Sequence, residues 1–307
     1  MRYRFVRFPG GKSKAITLSY DDGVRDDLHF TEIIDRYGLK ATFNVNTDLL
    51  PTQSGELRLT AEELLQMVGD KHELATHGAL HIAPGKATPV DMIRDTLDCR
   101  RSLERITGKI IRGMAYPDSG ITLMMGGNNL EDISRRLSEL GIAYSRTLAG
   151  DNDGFMLPNN WYAWMPTCHH NNPNLMPWLE KFLTEPMNHY LAVRFPKVFY
   201  VWGHTYEFSN NDNWEVLENF CKRASGHEDV WYATNIEICE YVKAYEQLLF
   251  NVDNTIAFNP TNTTIWFEVD GDDYKIEPGQ TISIANKHWP QKWRNNEIHH
   301  LCPPGCQ

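Results

Sequence analysis

No stretch of the 307-residue chain approaches the roughly 18 consecutive apolar residues that a membrane-spanning helix requires. The opening segment, MRYRFVRFPGGKSK, carries basic side chains, but neither an apolar block nor a small-residue cleavage site follows them. The sequence therefore predicts no membrane span and no secretory signal. We accordingly expect a cytoplasmic protein without a membrane partner.

Cysteine is scarce, and the cysteines present do not form a short-spaced framework. The chain has six of them, namely Cys99, Cys168, Cys221, Cys239, Cys302 and Cys306. Without a secretory signal, scattered cysteines are expected to be reduced thiols rather than disulfides. Cys302 and Cys306 lie close to His299 and His300, but their spacing is not a standard zinc-binding one. We interpret residues 291–307 as a disordered C-terminal tail.

Positive charge is in deficit. Lysine and arginine total 30 against 40 aspartates and glutamates, which gives a formal net charge of −10. Nucleic-acid binding depends on clustered lysine and arginine side chains that neutralise phosphates, so we expect no nucleic-acid partner. The composition, 41% hydrophobic and 23% charged, is instead typical of a globular protein with a sizeable core. It gives no indication of the oligomeric state.

The chain does have a regular alternation of strand-like and helix-like segments. The apolar runs that predict strands are AITLSY, KATFNVN, KHELATH, IIRGMAY, IAYSRTL, VFYVWGH and DVWYAT. The segments between them carry apolar residues at helical spacing, and one begins with Thr60 and Glu63, the pair of a capping box. This alternation predicts an α/β fold, and about seven units over residues 1–250 favour a distorted (β/α) barrel. A doubly wound open sheet is the alternative.

The alternation ends after the helical segment EICEYVKAYEQLLF. Residues 251–290 contain instead the short β segments TIAF, TIWFEV, YKIEP and TISI, with a turn at Asp270 and Gly271. We therefore predict a small C-terminal β appendage after the barrel. Because such a short sheet has little core of its own, we expect it to depend on packing against the barrel.

Acidic and histidine side chains follow two of the predicted strands. The motif SYDDG places Asp21 and Asp22 at the end of the first strand, and Gly23 closes the turn. The third strand continues into HGALH, with His77 and His81 four residues apart. If this segment is helical, both imidazoles lie on one face. Two histidines and one carboxylate are the usual minimum set of protein ligands in a catalytic zinc site, so the pattern indicates a metal site.

Two later strands also end on groups that are useful for hydrolysis. The motif RGMAYP contains Arg112 and Tyr116, and VWGH places His204 at the end of an apolar strand. In a (β/α) barrel the loops after the strands share one rim, where such folds perform their chemistry. We therefore expect these three residues to join the aspartates and the other histidines in one site.

Taken in order, SYDDG, HGALH, RGMAYP and VWGH resemble the polysaccharide deacetylases of carbohydrate esterase family 4, the NodB-homology proteins. The resemblance covers residues 15 to about 240. It implies a metal-dependent hydrolase that removes acetyl groups from an oligosaccharide or polysaccharide, N-linked more often than O-linked. It also implies that Asp22, His77 and His81 bind the metal, expected to be zinc, and that Asp21 is the catalytic base.

Three further roles follow from the same resemblance. Arg112 corresponds to the arginine that holds the base, although three residues separate Arg112 from Tyr116 where the family commonly has RxPY. Tyr116 corresponds to the residue whose backbone N–H helps to bind the oxyanion. His204 corresponds to the general acid. The acidic residue that orients this histidine in the family has no clear counterpart, and the nearest candidates are Asp151 and Asp153, or the stretch NNW at residues 159–161.

Two other interpretations remain open at this point. One keeps the metal site but makes the substrate a small cyclic amide such as allantoin. The other is a carbohydrate-binding barrel without catalysis, which the missing orienting acid would explain. His169 and His170, in the Asn- and Pro-rich segment PTCHHNNP, are candidates either to line the pocket or to be solvated.

Overall fold

The computed structural model describes residues 3–55, 57–148, 151–185 and 194–285. After a first strand, β1 (Arg4–Arg7), the main sheet contains β2 (Lys14–Asp21), β3 (Ala41–Val45), β4 (Glu73–Thr76), β5 (Gly113–Ala115), β6 (Tyr144–Arg146), β7 (Cys168–His169), β8 (Lys197–Gly203) and β9 (Val230–Tyr232). Seven strands follow one another in the order β6-β5-β4-β3-β2-β8-β7, and β9 pairs with the first half of β2. Their parallel pairing forms a curled half-barrel, which confirms the α/β barrel expected from the sequence.

The parallel pairing brings the carboxyl ends of the strands to one edge of the sheet. Asp21, Arg146 and His169 are the last residues of β2, β6 and β7. His77 and His204 directly follow β4 and β8. Polar side chains that are far apart in the sequence therefore meet at one rim of the barrel.

Helices cover the outer face of the sheet. They are α1 (Asp26–Arg36), α2 (Ala61–Val68), α3 (Pro89–Thr107), α4 (Leu130–Glu139), α5 (Leu175–Thr184), α6 (Tyr206–Asn210), α7 (Trp214–Ala224) and α8 (Asn235–Glu246), with 3₁₀ turns at Thr47–Leu49 and Trp161–Ala163. Thr60 and Glu63 form the expected capping box at the start of α2. Fully buried aromatic rings, including Phe30, Phe43 and Phe199, pack between helices and sheet. Within the described ranges, none of the helices has the length and apolar character needed to cross a membrane.

Two small antiparallel sheets lie outside the barrel. One contains β1, β12 (Ile265–Val269) and β13 (Asp272–Ile276); the other contains β10 (Leu249–Phe250), β11 (Ile256–Phe258) and β14 (Thr281–Ser283). Tyr241 of α8 joins the first sheet to the barrel, since its hydroxyl donates to the carbonyl of Arg7 at 2.8 Å and accepts from the N–H of Trp266 at 2.9 Å. Arg7 also forms a buried ion pair with Glu268. The division of the chain near residue 250 stays a prediction, and the expected tail, residues 291–307, lies outside the described residues.

The edge of the sheet opposite the site buries a carboxyl group. Glu73, at the start of β4, accepts hydrogen bonds from Thr42 Oγ1 at 2.8 Å, Tyr144 OH at 2.7 Å and the N–H of Ile236 at 2.9 Å. Burial nevertheless raises the pKa of Glu73 to about 7. The folded state thus holds this proton more tightly than the unfolded chain, so stability falls as the pH rises from the unfolded value through about 7.

We expect Glu73→Gln to remove this loss. Glutamine mimics the protonated carboxyl, so the variant should match the wild type at about pH 4 and be more stable by about 3 kcal/mol at about pH 8. Urea unfolding at both pH values measures the difference, with the exposed Glu139→Gln as the control. An unchanged difference between variant and wild type across this range would contradict the assignment.

Candidate active site

Asp21 is the buried centre of the site. Its side chain is 2% exposed and accepts hydrogen bonds from Arg146 Nη2 at 2.5 Å and from Asn44 Nδ2 at 2.8 Å. Burial alone would raise the pKa of Asp21, but the guanidinium of Arg146, with smaller contributions from His77 and His204, outweighs it and lowers the pKa below its ordinary value. Asp21 is therefore held as an oriented carboxylate.

Asp22, His77 and His81 meet beside this carboxylate. One ligand atom from each lies within 4.8 Å of the other two, and Nε2 of His81 is 3.9 Å from Oδ1 of Asp22. The cluster offers two imidazole nitrogens and one carboxylate oxygen. This donor set suits a catalytic zinc ion and leaves positions open for water and substrate.

Two atoms of the cluster are prepared for a cation. Nδ1 of His77 lies 2.8 Å from the carbonyl oxygen of Ala115. Because a carbonyl can only accept, Nδ1 carries the proton and Nε2 presents its lone pair. Oδ1 of Asp22 is buried without a hydrogen-bond partner among the described residues. A buried, unsatisfied carboxylate oxygen next to a free imidazole nitrogen fits a divalent metal.

The two histidines converge without a helix, so the helical interpretation of HGALH is wrong. Residues 77–81 form a loop after β4, and the chain turns through Gly78 at φ 73° and His81 at φ 63°. Asp95 of α3 holds this loop, since its carboxylate accepts from the N–H of Leu80 at 2.6 Å. A Cβ at Gly78 would lie 2.1 Å from Oδ2 of Asp95, so only glycine fits there.

Arg112 does not hold the base, and that prediction is wrong. Arg112 precedes β5, at the amino end of the strand, and its Nη1 pairs with the exposed Glu240 of α8 at 2.8 Å. The strand carries the chain away from Arg112 before it reaches the rim. Arg146, the last residue of β6, makes the ion pair with Asp21 instead.

Tyr116 is at the rim, but its backbone N–H is not free. This N–H donates to the carbonyl of Arg146 at 3.0 Å and extends the pairing of β5 with β6. The buried hydroxyl of Tyr116 donates to the carbonyl of Tyr162 at 2.8 Å. The expectation that the Tyr116 N–H binds an oxyanion is therefore corrected: Tyr116 supports the strand end that carries Arg146.

His204 lies at the rim and has an acidic partner. Its Nδ1 is 2.8 Å from Oε1 of Glu207, three residues further on in α6. Burial alone would lower the pKa of His204, but Glu207, Asp21 and Asp22 outweigh it and raise the pKa above its ordinary value. The imidazolium form is thus favoured at this position.

Neither aspartate that was considered from the sequence orients His204. Asp151 accepts a hydrogen bond from Asn172 Nδ2 at 3.1 Å, and both Asp151 and Asp153 are exposed. Glu207 is the acidic partner of His204, through Oε1. Its other oxygen, Oε2, lies in a polar cluster that was not predicted from the sequence. The cluster consists of Asn171 Nδ2 at 2.7 Å, His169 Nε2 at 3.4 Å and His170 Nε2 at 3.3 Å from Glu207 Oε2.

Two residues of the site were missed at the sequence level, although both left a signal. Arg146 is a cationic residue inside the apolar run IAYSRTL, where a strand buried in a sheet does not tolerate a charge without a partner. Glu207 follows His204 by three residues, a spacing at which the first turn of a helix brings side chains together.

A comparison with protein families matches the part of the chain that contains the proposed metal ligands. Residues 9–139 match the family model described as polysaccharide deacetylase. The resemblance to polysaccharide deacetylases is confirmed. The matching segment contains both aspartates of SYDDG and both histidines of HGALH, and it ends before Arg146. Arg146 and Glu207, which contact Asp21 and His204, lie beyond the matching segment and are identified from geometry alone.

Two solved structures of putative or probable polysaccharide deacetylases share the fold. A putative polysaccharide deacetylase from Mycobacterium smegmatis is 17% identical with a TM-score of 0.53, and the alignment covers 78% of this chain and 94% of that one. A probable polysaccharide deacetylase from Pseudomonas aeruginosa PAO1 is 16% identical with a TM-score of 0.52, covering 76% and 92%. The Streptococcus pyogenes deacetylase PplD is 20% identical with a TM-score of 0.38; the alignment covers 43% of this chain and 55% of PplD, about half of its length. No curated protein matches the chain.

Proposed function

We propose that the protein is a metal-dependent hydrolase that removes acetyl groups from a carbohydrate, with N-acetyl groups favoured over O-acetyl groups. The observation that carries this proposal is the position of the Asp22, His77 and His81 cluster next to the buried pair of Asp21 and Arg146. A metal-ligand set and an ionised base at one rim are what hydrolysis of an acetamide requires.

Asp22, His77 and His81 would hold the ion, and we propose zinc because two nitrogen donors in an open site suit it. Such an ion supplies a Lewis acid that polarises the acyl carbonyl and acidifies water. Two hydrogen bonds position these ligands. The carbonyl of Ala115 accepts from Nδ1 of His77, and the carboxylate of Asp95 accepts from the N–H of Leu80 in the HGALH loop.

Asp21 is the proposed general base. Arg146 and Asn44 donate to its two oxygens, whereas Oδ1 of Asp22 has no hydrogen-bond partner among the described residues, so we assign Asp22 as the ligand and Asp21 as the carboxylate beside it. Because its pKa is lowered, Asp21 is ionised and ready to take a proton from the attacking water.

His204 is the proposed general acid. Glu207 accepts from Nδ1, which leaves Nε2 as the nitrogen that donates a proton to the leaving amine. The carboxylates around His204 favour the charged ring that this step needs. The presence of Glu207 also removes the reason for interpreting the protein as a barrel without catalysis.

A cleft of about 790 Å³ opens beside Asp22. Its walls include Leu57, Arg58 and Tyr206, which offer an apolar side chain, a cation and an aromatic ring. The volume lies in the range of small-ligand sites and accommodates a sugar with its acetamido group. This cleft is the proposed binding site for the acetylated oligosaccharide or polysaccharide.

The acid role of His204 is tested by the leaving group. His204→Ala should lower acetate release from an N-acetylated oligosaccharide by about 10²-fold, because an amine leaves only when it is protonated. The loss should be much smaller with an aryl acetate, whose phenolate leaves without help. Acetate release from both substrates measures the effect, with zinc content as the control. Equal losses on both substrates, or loss of zinc, would remove His204 from the mechanism.

A further inference from the structure

Among the described residues, two clusters have the composition of a metal site. Each contains two histidines and one carboxylate with ligand atoms within 4.8 Å of one another: Asp22, His77 and His81 in one, and His169, His170 and Glu207 in the other. Composition alone would assign a metal to both. The backbone behind the imidazoles distinguishes them.

The backbone fixes the proton of His169 on the nitrogen that faces Glu207. The N–H of Asn171 donates to Nδ1 of His169 at 3.1 Å. Because a backbone N–H can only donate, Nδ1 presents a lone pair and the neutral ring carries its proton on Nε2. His77 has the reverse arrangement, because its Nδ1–H donates a hydrogen bond to the carbonyl of Ala115. Nε2 is therefore a donor in His169 and a free ligand atom in His77.

The second histidine of this cluster is locked in place. His170 is 2% exposed and stacks against Tyr20 and Phe208, with ring centroids 5.7 Å and 4.1 Å away. A Cβ at position 203 would lie 2.0 Å from Nδ1 of His170, so Gly203 makes room for the ring. Burial lowers the pKa of His170, so the ring is neutral, and its Nε2 lies 3.3 Å from Oε2 of Glu207. Neither ring nitrogen of His170 makes a hydrogen bond among the described residues, so this rigid ring limits the position of the Glu207 carboxylate by contact alone.

We propose that His169, His170 and Asn171 are positioning residues that hold Glu207, and through it His204, and that their cluster does not bind a metal. This inference rests on the proposed function of His204. The three side chains surround one oxygen of Glu207, and the other oxygen is left to accept from Nδ1 of His204 at 2.8 Å. A carboxylate fixed in this way holds the imidazole in one tautomer and one orientation, as outer partners of catalytic histidines do.

The test compares two substitutions at one position in the full-length, zinc-loaded protein. His169→Leu removes the donor, whereas His169→Gln keeps an amide N–H near the position of Nε2. We expect His169→Leu to lower acetate release from an N-acetylated oligosaccharide about tenfold, the effect of one hydrogen bond to a charged group. The loss with an aryl acetate should be small, and His169→Gln should recover most of the rate. Asn171→Ala, which removes a different donor from Glu207, should repeat the pattern of His169→Leu.

Zinc content of the same proteins after dialysis against zinc gives the second readout. We expect one zinc per chain in the wild type, in both His169 variants and in His29→Gln, a control at an exposed histidine of α1 that belongs to neither cluster. A second zinc in the wild type that both His169 variants lose would overturn the proposal, as would a glutamine variant as impaired as the leucine variant. If the loss of rate in His204→Ala depends on the leaving group but the losses in His169→Leu and Asn171→Ala do not, only the positioning role fails. If the loss of rate in His204→Ala does not depend on the leaving group, the proposed function of His204 and the positioning role both fail.

Discussion

Asp21→Asn is expected to lower acetate release on the order of 10⁴-fold, the upper end of what acid–base catalysis contributes, while the protein retains one zinc per chain. Asparagine keeps the shape of the side chain but cannot take a proton. Asp21 lies beside the proposed metal ligands and, in the proposed mechanism, does not hold the ion. Steady-state rates on an N-acetylated oligosaccharide and elemental analysis of the dialysed protein measure the two effects.

The matched control is Asp22→Asn, which should lose both zinc and activity. Loss of zinc in Asp21→Asn, with zinc retained in Asp22→Asn, would show that the roles of the adjacent aspartates are exchanged. Asparagine at position 21 also leaves the buried Arg146 without its carboxylate. The comparison should therefore be made well below the thermal midpoint of each variant.

Arg146→Leu is expected to lower the free energy of unfolding by about 3 kcal/mol, because it leaves one partner of a buried ion pair alone. It should also abolish most activity near neutral pH. Without the guanidinium, less positive charge opposes the effect of burial and the pKa of Asp21 rises, so the base needs a higher pH for ionisation than in the wild type. Activity of the variant should then increase as the pH rises, and a pH profile together with urea unfolding measures both effects.

Arg112→Leu separates the observed ion pair from the one suggested by the motif RGMAYP. Arg112 and Glu240 are both exposed, so this variant should stay within about 0.5 kcal/mol of the wild type and keep its activity. If Arg112→Leu loses activity and Arg146→Leu does not, the assignment of Arg146 is incorrect.

Most of the sheet could be predicted because each buried strand is an apolar run of several residues. The seven predicted runs correspond to β2 to β6, β8 and β9. Strand β7 was missed because Cys168–His169 is too short to show any period and lies in an Asn- and Pro-rich segment. The pairing of β1 with β12 was also missed, since strands from opposite ends of the chain carry no local signal of their partner.

The candidate metal ligands could be predicted because each motif is local. Asp22 directly follows one strand, and His77 and His81 follow another, so their meeting requires only that the strands be neighbours or nearly so. The residues that hold Asp21 and His204 depend on more. Arg146 reaches Asp21 because the sheet curls β6 back toward β2, four positions along the sheet order, and no motif encodes that curvature.

The pairing of β1 with β12 has a consequence for synthesis on the ribosome. Residues 4–7 leave the exit tunnel before the barrel strands, but their partners, Trp266 to Val269, emerge only after those strands have been made. The barrel strands can therefore pair co-translationally while β1 remains an unpaired edge. A nascent chain that ends before Glu268 keeps this edge unpaired and leaves Arg7 without the Glu268 carboxylate. A product of premature termination therefore exposes an open strand edge that the longer chain closes.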